Sequence, residues 1–115
     1  MTGATGYYTG LAAEQSVAQK YRASGFSVVS ERFKTRCGEI DLIAEHNDHY
    51  YFVEVKSSKT FERAVERITP RQIARIRAAA LEFLVSIKRP LETNMRFDAA
   101  LVDGLGHIKV IPNAF

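Results

Sequence analysis

Apolar residues recur at helical spacing in two segments of the chain. The first segment, Leu11 to Ser24, carries apolar side chains on one face and polar ones on the other, and Gly25 ends it. The second begins at Thr69-Pro70, a typical N-cap with proline at the first helical position, and stops at Pro90. Both segments are predicted to be amphipathic helices. Their apolar positions are Leu11, Ala13, Val17, Ala18 and Tyr21 in the first and Ile73, Ile76, Ala80, Phe83, Leu84 and Ile87 in the second.

Segments rich in aromatic and β-branched residues are typical of strands, and they fill much of the remaining chain. The predicted strands are Phe26–Phe33, Glu39–Glu45, Tyr50–Lys56, Met95–Asp103 and His107–Pro112. Residues 57–68 are polar and predict a loop with room for one helical turn. The element order is then α-β-β-β-α-β-β. This order predicts a single α/β domain over residues 1–115, with a loose leader at residues 1–9.

A tight hairpin is predicted between the second and third strands, and its loop determines which residues face each other. Asn47 and Asp48 tolerate the positive φ that a two-residue hairpin loop needs. With these two residues in the loop, Asp41 faces Glu54 across the ladder. Lys56 emerges on the same face as Glu54, because side chains alternate along a strand. Two carboxylates set directly opposite each other are destabilising, so this arrangement needs a compensating charge.

The predicted neighbours Asp41, Glu54 and Lys56 form a candidate metal site. Two acidic oxygen donors at this distance suit a hard divalent cation such as Mg²⁺, which retains waters that a substrate phosphate can displace. A lysine beside the metal could orient or deprotonate the attacking water, and the three residues together would support phosphodiester hydrolysis. The alternative is a surface hairpin of mixed charge, in which Lys56 simply offsets the two acids.

Glu14 is an acidic residue in the middle of the apolar face of the first helix. A buried carboxylate is costly unless it is paired, protonated or bound to a metal, so its position requires an explanation. A third metal or water ligand is one explanation. A structural salt bridge to an arginine or a lysine is the other.

Two motifs and their surroundings resemble the YraN family of small bacterial proteins. The motifs are Gly38-Glu39-Ile40-Asp41-Leu42-Ile43 and Phe52-Val53-Glu54-Val55-Lys56, and the similarity extends over nearly the whole chain. It includes Thr69-Pro70 with Gln72, Arg96-Phe97-Asp98 and the terminal Ile111-Pro112-Asn113-Ala114-Phe115. That family resembles a branch of the PD-(D/E)XK nuclease superfamily, close in layout to archaeal Holliday junction resolvases. The resemblance implies a restriction-endonuclease-like mixed sheet flanked by helices.

The resemblance also implies roles for individual residues in a metal-dependent DNA endonuclease. The superfamily's Asp is Asp41, and its Glu-x-Lys is Glu54-Val55-Lys56, in which the carbonyl of Val55 is a further metal ligand. The acid of the first helix becomes Glu14, and the glutamine that often follows the motif becomes Gln72. One departure is Ile40, which stands where the superfamily name has proline. An apolar residue there keeps the strand extended, so the departure leaves the carboxylate in place.

Charge adds a modest preference for polyanionic partners. The chain has 16 Lys and Arg against 13 Asp and Glu, a net charge of +3 and an isoelectric point near 9.2. Arginines at positions 63, 67, 71 and 75 step by four residues, which suits phosphate contacts or, alternatively, a solvated helix face balanced by Glu62 and Glu66. The candidate nucleic-acid contacts are Arg32, Lys34, Arg36, Lys59, Arg71 and Arg75.

Other features exclude several classes of protein. Cys37 is the only cysteine and cannot form an internal disulfide, and the N-terminus lacks a signal-peptide pattern, so a cytoplasmic protein is expected. No apolar stretch is long enough to span a bilayer. A zinc site at His46, Asp48 and His49 is disfavoured because these residues fall in the hairpin turn and lack a fourth ligand.

The sequence therefore predicts an endonuclease that uses Mg²⁺ or Mn²⁺ to hydrolyse DNA, with a resolvase-like preference left open. The closest alternative is a nucleic-acid-binding or scaffolding module that keeps the fold with negligible turnover. A phosphoesterase for substrates other than nucleic acids is a third class, and it would need a closed pocket. Monomer and homodimer, DNA and RNA, and junction and duplex substrates are not distinguished by the sequence.

Overall fold

The computed structural model describes the backbone from residue 2 to residue 115 and the side chains from Gly10 onward. The helices are α1 (Thr2–Ala23), α2 (Phe61–Glu66) and α3 (Pro70–Ser86). The strands are β1 (Ser27–Lys34), β2 (Glu39–His46), β3 (His49–Ser57), β4 (Met95–Val102) and β5 (Ile108–Ile111). Within the described part, no helix is both long and apolar enough to cross a membrane.

Helix α1 is longer than the sequence pattern indicates. Its backbone begins at Thr2 and so includes residues 2–9, which are predicted above as a loose leader. Adding residues to an existing helix needs no new nucleus, so a helix can extend beyond the segment whose apolar face predicts it. The side chains of residues 1–9 lie outside the described part.

The five strands form one mixed sheet in the order β1-β2-β3-β4-β5. All neighbouring pairs are antiparallel except β3 and β4, which are parallel. A parallel pair needs a long crossover connection, and α2 and α3 supply it here. The predicted α/β fold, the mixed sheet and the order of the main elements are confirmed. The short helix α2 lies in the segment where the sequence predicts a loop with room for one helical turn.

Local sequence signals account for the ends of several elements. Gly25 follows α1 with φ of +94°, a left-handed conformation that glycine adopts without steric cost. The hairpin loop has φ of 51° at Asn47 and 62° at Asp48, as a two-residue turn requires. Thr69 caps α3, and its capping box with Gln72 satisfies two backbone donors at the helix start. These signals are local, and this is why the sequence alone locates them.

Helices cover both faces of the sheet and create two apolar cores. On one face α1 packs through Ala13, Val17, Ala18 and Tyr21. On the other face α3 packs against a second core that includes Phe52 and Phe83. Neighbouring residues of β3 therefore belong to different layers, with Val53 in the α1 core and Phe52 in the α3 core. Since side chains alternate, Glu54 emerges on the α3 side of the sheet.

Candidate functional site

The acidic residues of β2 and β3 meet where the backbone ladder between these strands ends. Cα pairing runs from His46 opposite His49 to Leu42 opposite Val53, and this is the predicted register. At the next position the Val55 N–H donates to Asp41 Oδ2 at 2.8 Å instead of continuing the ladder. Asp41 thus lies beside Glu54, with which it shares a hydrogen bond. The predicted juxtaposition of the two acids is confirmed.

Lys56 supplies the positive charge that the acid pair needs. Its Nζ lies 3.3 Å from Glu54 Oε2, and the two side chains are only 16% and 8% exposed. Such limited exposure keeps water from screening the interaction, so the ion pair is stronger than one on an open surface. Asp41, Glu54 and Lys56 therefore form one continuous polar group at the edge of the α3 core.

The Asp41 carboxyl keeps its proton at pH values far above those at which an aspartate usually ionises. Burial is the largest cause, and the hydrogen bond and negative charge of Glu54 add to it, so that the pKa of Asp41 rises to about 8. The Val55 N–H and the charge of Lys56 act in the opposite direction. A raised pKa means that the ionised pair is unfavourable in the protein as it stands. A second cation beside the acids would relieve this repulsion.

A cleft of about 240 Å³ opens over the acid pair, between the start of β2 and the first turns of α3. It is lined by Gly38, Glu39, Asp41, Glu54, Gln72, Arg75 and Ile76. The close approach of α3 depends on Gly38, because a Cβ at that position would lie 3.0 Å from the Cβ of Arg75. Gln72 lines the cleft while its Oε1 accepts the Thr69 N–H in the capping box.

The donor set of this cleft fits a hard divalent cation. Asp41 and Glu54 offer two carboxylates, and Mg²⁺ is commonly bound by one or two carboxylates while it keeps several waters. No group of three or more His, Cys, Asp and Glu side chains among residues 10–115 is arranged to hold a metal ion. A cation here would therefore rely on two side chains, with waters and backbone carbonyls completing its coordination.

Glu14 forms an ion pair instead of joining the two acids directly. Arg32 Nε donates to Glu14 Oε1 at 3.0 Å, and the Glu14 side chain is 21% exposed. Partial burial raises the pKa of Glu14, the hydrogen bond from Arg32 lowers it, and the negative charge of nearby Asp41 raises it again. The net direction is upward. The salt-bridge alternative is thus present in the structure, and Glu14 still lies within the electrostatic influence of Asp41.

We expect Glu14→Gln to be at least as stable as the wild type in EDTA, because the net rise in pKa shows that the folded protein disfavours the charged carboxylate. If Glu14 assists cation binding, Mn²⁺ should raise the melting temperature of the variant less than that of the wild type. Thermal melts in EDTA and in Mn²⁺ measure both effects. Glu31→Gln, which removes the carboxylate of the exposed Arg22–Glu31 pair, is the matched control. An equal increment in all three proteins would limit Glu14 to its pairing with Arg32.

The basic residues predicted to contact nucleic acid fall into two groups. In the first group, around the β1–β2 turn, Arg32 pairs with Glu14, and Arg36 lies 3.5 Å from Glu82 while its side chain is 92% exposed. Lys34 is exposed at the end of β1. Two of these three cations are thus partly neutralised by carboxylates of the protein itself.

The second group follows the Glu-x-Lys strand. Lys59 precedes α2, and its carbonyl accepts the Gly104 N–H. Arg71 and Arg75 are exposed on the first two turns of α3, four residues apart and hence on one face. Arg75 lines the acidic cleft. These two arginines are therefore the best placed of the predicted cations to contact a phosphate that approaches the acids.

The hairpin residues weighed above for zinc are engaged elsewhere. Asp48 Oδ1 accepts a hydrogen bond from Arg89 at 2.8 Å, and the His46 ring packs 5.6 Å from the ring of Phe26. The His49 ring nitrogen Nε2 lies 3.2 Å from the amide nitrogen of Asn94.

A second polar cluster, which the sequence pattern does not identify as a site, lies on the opposite face of the sheet. Asp98 is fully buried, yet it accepts hydrogen bonds from the Tyr21 hydroxyl, the Arg96 guanidinium and the Asn113 N–H. Burial and the neighbouring Asp98 raise the pKa of Tyr21 well above its usual range. The only signal in the sequence is Arg96-Phe97-Asp98 within a strand, and the partners lie too far along the chain to be paired by pattern.

Comparison with known proteins gives a consistent family assignment. The chain is 48% identical over 113 residues to a UPF0102 protein of Ruegeria pomeroyi, an alignment that covers 98% of this chain and 92% of the relative. It is 46% identical over 115 residues to a UPF0102 protein of Cereibacter sphaeroides, with 100% and 98% covered. A UPF0102 protein of Rhodopseudomonas palustris is 40% identical over 109 residues, with 95% and 84% covered. Because the model of the uncharacterised protein family UPF0102 also matches residues 13–102, the chain belongs to the UPF0102 family.

Proposed function

We propose that this protein is a cytoplasmic endonuclease of the PD-(D/E)XK type that hydrolyses DNA with Mg²⁺ or Mn²⁺. The observation that carries the proposal is the placement of Asp41 beside Glu54 in an open cleft, with Lys56 behind them at 3.3 Å from Glu54. A surface hairpin of mixed charge does not require a buried Glu54 or a carboxyl with a pKa of about 8. Groups whose protonation is so strongly perturbed cluster at functional sites.

Each residue of the group has a distinct task in this chemistry. A bound divalent cation would lower the pKa of a water molecule and offset the charge that develops on the phosphate. Asp41 and Glu54 provide the negative charge that holds such a cation. Lys56, whose ammonium already lies within the polar group, would orient the attacking water, or would accept its proton as the neutral amine after giving up its own proton. The hydrogen bond from Val55 N–H keeps Asp41 in place.

The first turns of α3 form the side of the cleft that a phosphate would approach. Arg75 and Gln72 line the cleft, and Arg71 lies one turn before Arg75. A helix N-terminus carries a partial positive charge, which adds to that of the arginines. An open cleft beside these cations suits a polymer backbone better than a small substrate that must be enclosed. This difference favours a nuclease over a phosphoesterase for small molecules.

The proposal is tested by a cleavage screen of purified protein against linear, nicked, flapped and four-way branched DNA. We expect products from at least one substrate with Mn²⁺ or Mg²⁺ and none with EDTA. The same oligonucleotides as RNA identify which nucleic acid is cut. Absence of cleavage from every substrate, in both metals, would contradict a nuclease.

One observation favours the alternative of a binding or scaffolding module. Lys56 and the proton on Asp41 already offset much of the acid pair's charge. A binding module that kept the fold without catalytic turnover would need only this neutralisation of the acid pair, and no metal ion. The two functions separate in Asp41→Asn, which would abolish cleavage by a nuclease and leave DNA binding by a module intact.

The arginines of α3 give a prediction about DNA affinity that both functions share. We expect Arg71→Ala combined with Arg75→Ala to weaken binding to all DNA sequences alike, since phosphate contacts carry no base information. A plot of the logarithm of the association constant against the logarithm of the salt concentration has a negative slope. That slope should become less steep by about 0.9 for each phosphate that the variant no longer neutralises. Fluorescence anisotropy over a salt series measures the slope. The control is the double variant Arg22→Ala with Lys109→Ala, which removes the same amount of charge elsewhere and should keep the wild-type slope. If both double variants have the same slope, the DNA lies on another surface.

A further inference from the structure

A second open cleft lies on the α1 face of the sheet, away from the acid pair. It has a volume of about 410 Å³, within the range of about 300–1,000 Å³ that is usual for small-ligand sites. We call it the Arg96 cleft, and it is lined by His49, Tyr51, Asn94, Met95, Arg96 and Asn113. These residues come from the hairpin end of β3, the start of β4 and the C-terminal segment. The acid pair occupies the other end of β3 and the other face.

The guanidinium of Arg96 is held flat and rigid in the wall of this cleft. Its Nε and Nη2 donate to the two oxygens of buried Asp98 at 2.8 and 2.9 Å. Its Cζ lies 4.5 Å from the centre of the Tyr51 ring, which stacks against it. Asp98 is fixed in turn by the Tyr21 hydroxyl and the Asn113 N–H. The ion pair therefore presents a preorganised planar surface whose charge is already balanced.

Several hydrogen-bonding groups of the cleft have capacity that the described residues do not use. The Nη1 group of Arg96 and the side-chain amide of Asn113 make no hydrogen bond within residues 10–115. The Asn94 side-chain nitrogen contacts the His49 ring, which leaves the side-chain oxygen of Asn94 available. The buried network supplies hydrogen bonds to both carboxylate oxygens of Asp98. It does not explain the open donors and acceptors around Arg96.

We propose that the Arg96 cleft binds the base of an unpaired nucleotide. A nucleobase is planar and uncharged, and it carries donors and acceptors along its edge, which matches a flat, charge-balanced surface with open amides. Arginine planes and aromatic rings are common stacking partners of unpaired bases. An anion alone would gain little, because Asp98 already compensates the charge of Arg96.

A smaller cavity that Arg96 also lines offers a place for the phosphate of the same nucleotide. It has a volume of about 150 Å³, and its other lining residues are Lys20 and Ser24 together with Tyr21, Phe26 and Val110, so Lys20 is the cation that would contact the phosphate. Lys20 is exposed near the end of α1. The site thus combines a base position at Asn94 and His49 with a phosphate position at Lys20. It does not depend on cleavage at the acid pair.

Nuclear magnetic resonance titration of the full chain with the four nucleoside monophosphates and the four nucleosides tests this site. We expect saturable shifts of backbone amides at positions 49, 94 and 113 with both kinds of probe. Asn94→Ala and His49→Ala should each weaken binding of both about tenfold, an effect of the size expected when one stacking or hydrogen-bonding partner is removed. Lys20→Ala should weaken binding of the monophosphates and leave that of the nucleosides unchanged. These residues are exposed, so the variants avoid stranding Asp98 as Arg96→Ala would.

Lys109→Ala, which removes an exposed lysine of β5 outside the cleft, is the matched control for Lys20→Ala and should bind every probe as the wild type does. Inorganic phosphate alone should cause no saturable shift at positions 94 and 113. The proposal is overturned if neither nucleosides nor monophosphates bind at millimolar concentration, or if phosphate alone reproduces the shifts. It is also overturned if Asn94→Ala and His49→Ala bind as the wild type does. None of these results bears on cleavage, so failure here is distinct from failure of the nuclease.

Discussion

The melting temperature in EDTA should fall as the pH rises from about 4 to about 8, and above pH 8 the ionisation of Asp41 should lower it no further. The ordinary pKa of an aspartate is 3.8, and that of Asp41 in the folded protein is about 8. Between these values the folded protein holds a proton that the unfolded chain has released. Stability from this group is therefore complete below the ordinary pKa and is lost as the pH rises through the folded value. Thermal melts at closely spaced pH values in chelator measure this effect.

Mn²⁺ or Mg²⁺ should reverse this loss of stability. The cation binds the ionised carboxylates, so it competes with the proton and binds more tightly as the pH approaches 8. A ligand that binds only the folded state stabilises it by about 2.7 kcal/mol at a hundredfold excess over its dissociation constant. The increment in melting temperature should consequently grow with pH.

Asp41→Asn removes the titrating group while keeping the shape of the side chain. The variant should lose most of the pH dependence in EDTA and most of the increment that metal produces. Glu92→Gln, an exposed residue far along the chain, is the control and should behave as the wild type. A wild-type pH profile in Asp41→Asn would show that the proton resides elsewhere.

Replacing Lys56 with alanine should reduce the rate of cleavage by about 10²–10⁴-fold, the usual contribution of a positioned acid or base. The ammonium lies 3.3 Å from Glu54, so the substitution removes the group that orients the attacking water. Cation binding should persist because both carboxylates remain. Single-turnover rates with saturating Mn²⁺ measure the decrease, and melts with Mn²⁺ verify that the metal still binds.

A water-activating task for Lys56 has a signature that a structural task lacks. The rate of Lys56→Ala should recover partly at higher pH, where hydroxide replaces the missing base. Lys109→Ala, at an exposed position of β5, should cleave at the wild-type rate. A uniform decrease at every pH together with weaker metal binding would show that Lys56 only stabilises the acid pair.

The sequence predicts the hairpin and its acid pair well because the information is local. Asn47 and Asp48 determine the loop, the loop determines the register, and the register places Asp41 beside Glu54. The capping signal at Thr69 likewise lies within one helical turn. In each case the interacting residues are separated by a few positions along the chain or by one turn of fixed geometry.

Contacts between distant segments are not predictable from such patterns. Tyr21 and Asp98 are 77 residues apart, and only the packing of α1 against the sheet brings them together. The pairing of Glu14 with Arg32 depends on how β1 lies against α1, so the helical pattern locates the acid without identifying its partner. Helix α2 is predicted only as one helical turn within a loop, because its six residues show too little periodicity to define a helix, although Thr60 provides an N-cap.

The most direct measurement of the central claim is single-turnover cleavage of one labelled branched DNA by the wild type and by Asp41→Asn purified in parallel. With Mn²⁺ the wild type should release product, and the rate of the variant should fall by at least about a thousandfold, since removal of a metal ligand takes away several kcal/mol of transition-state stabilisation. With EDTA both should be inactive. Equal rates for the two proteins, or cleavage by the wild type in EDTA, would contradict a metal site at Asp41 and Glu54.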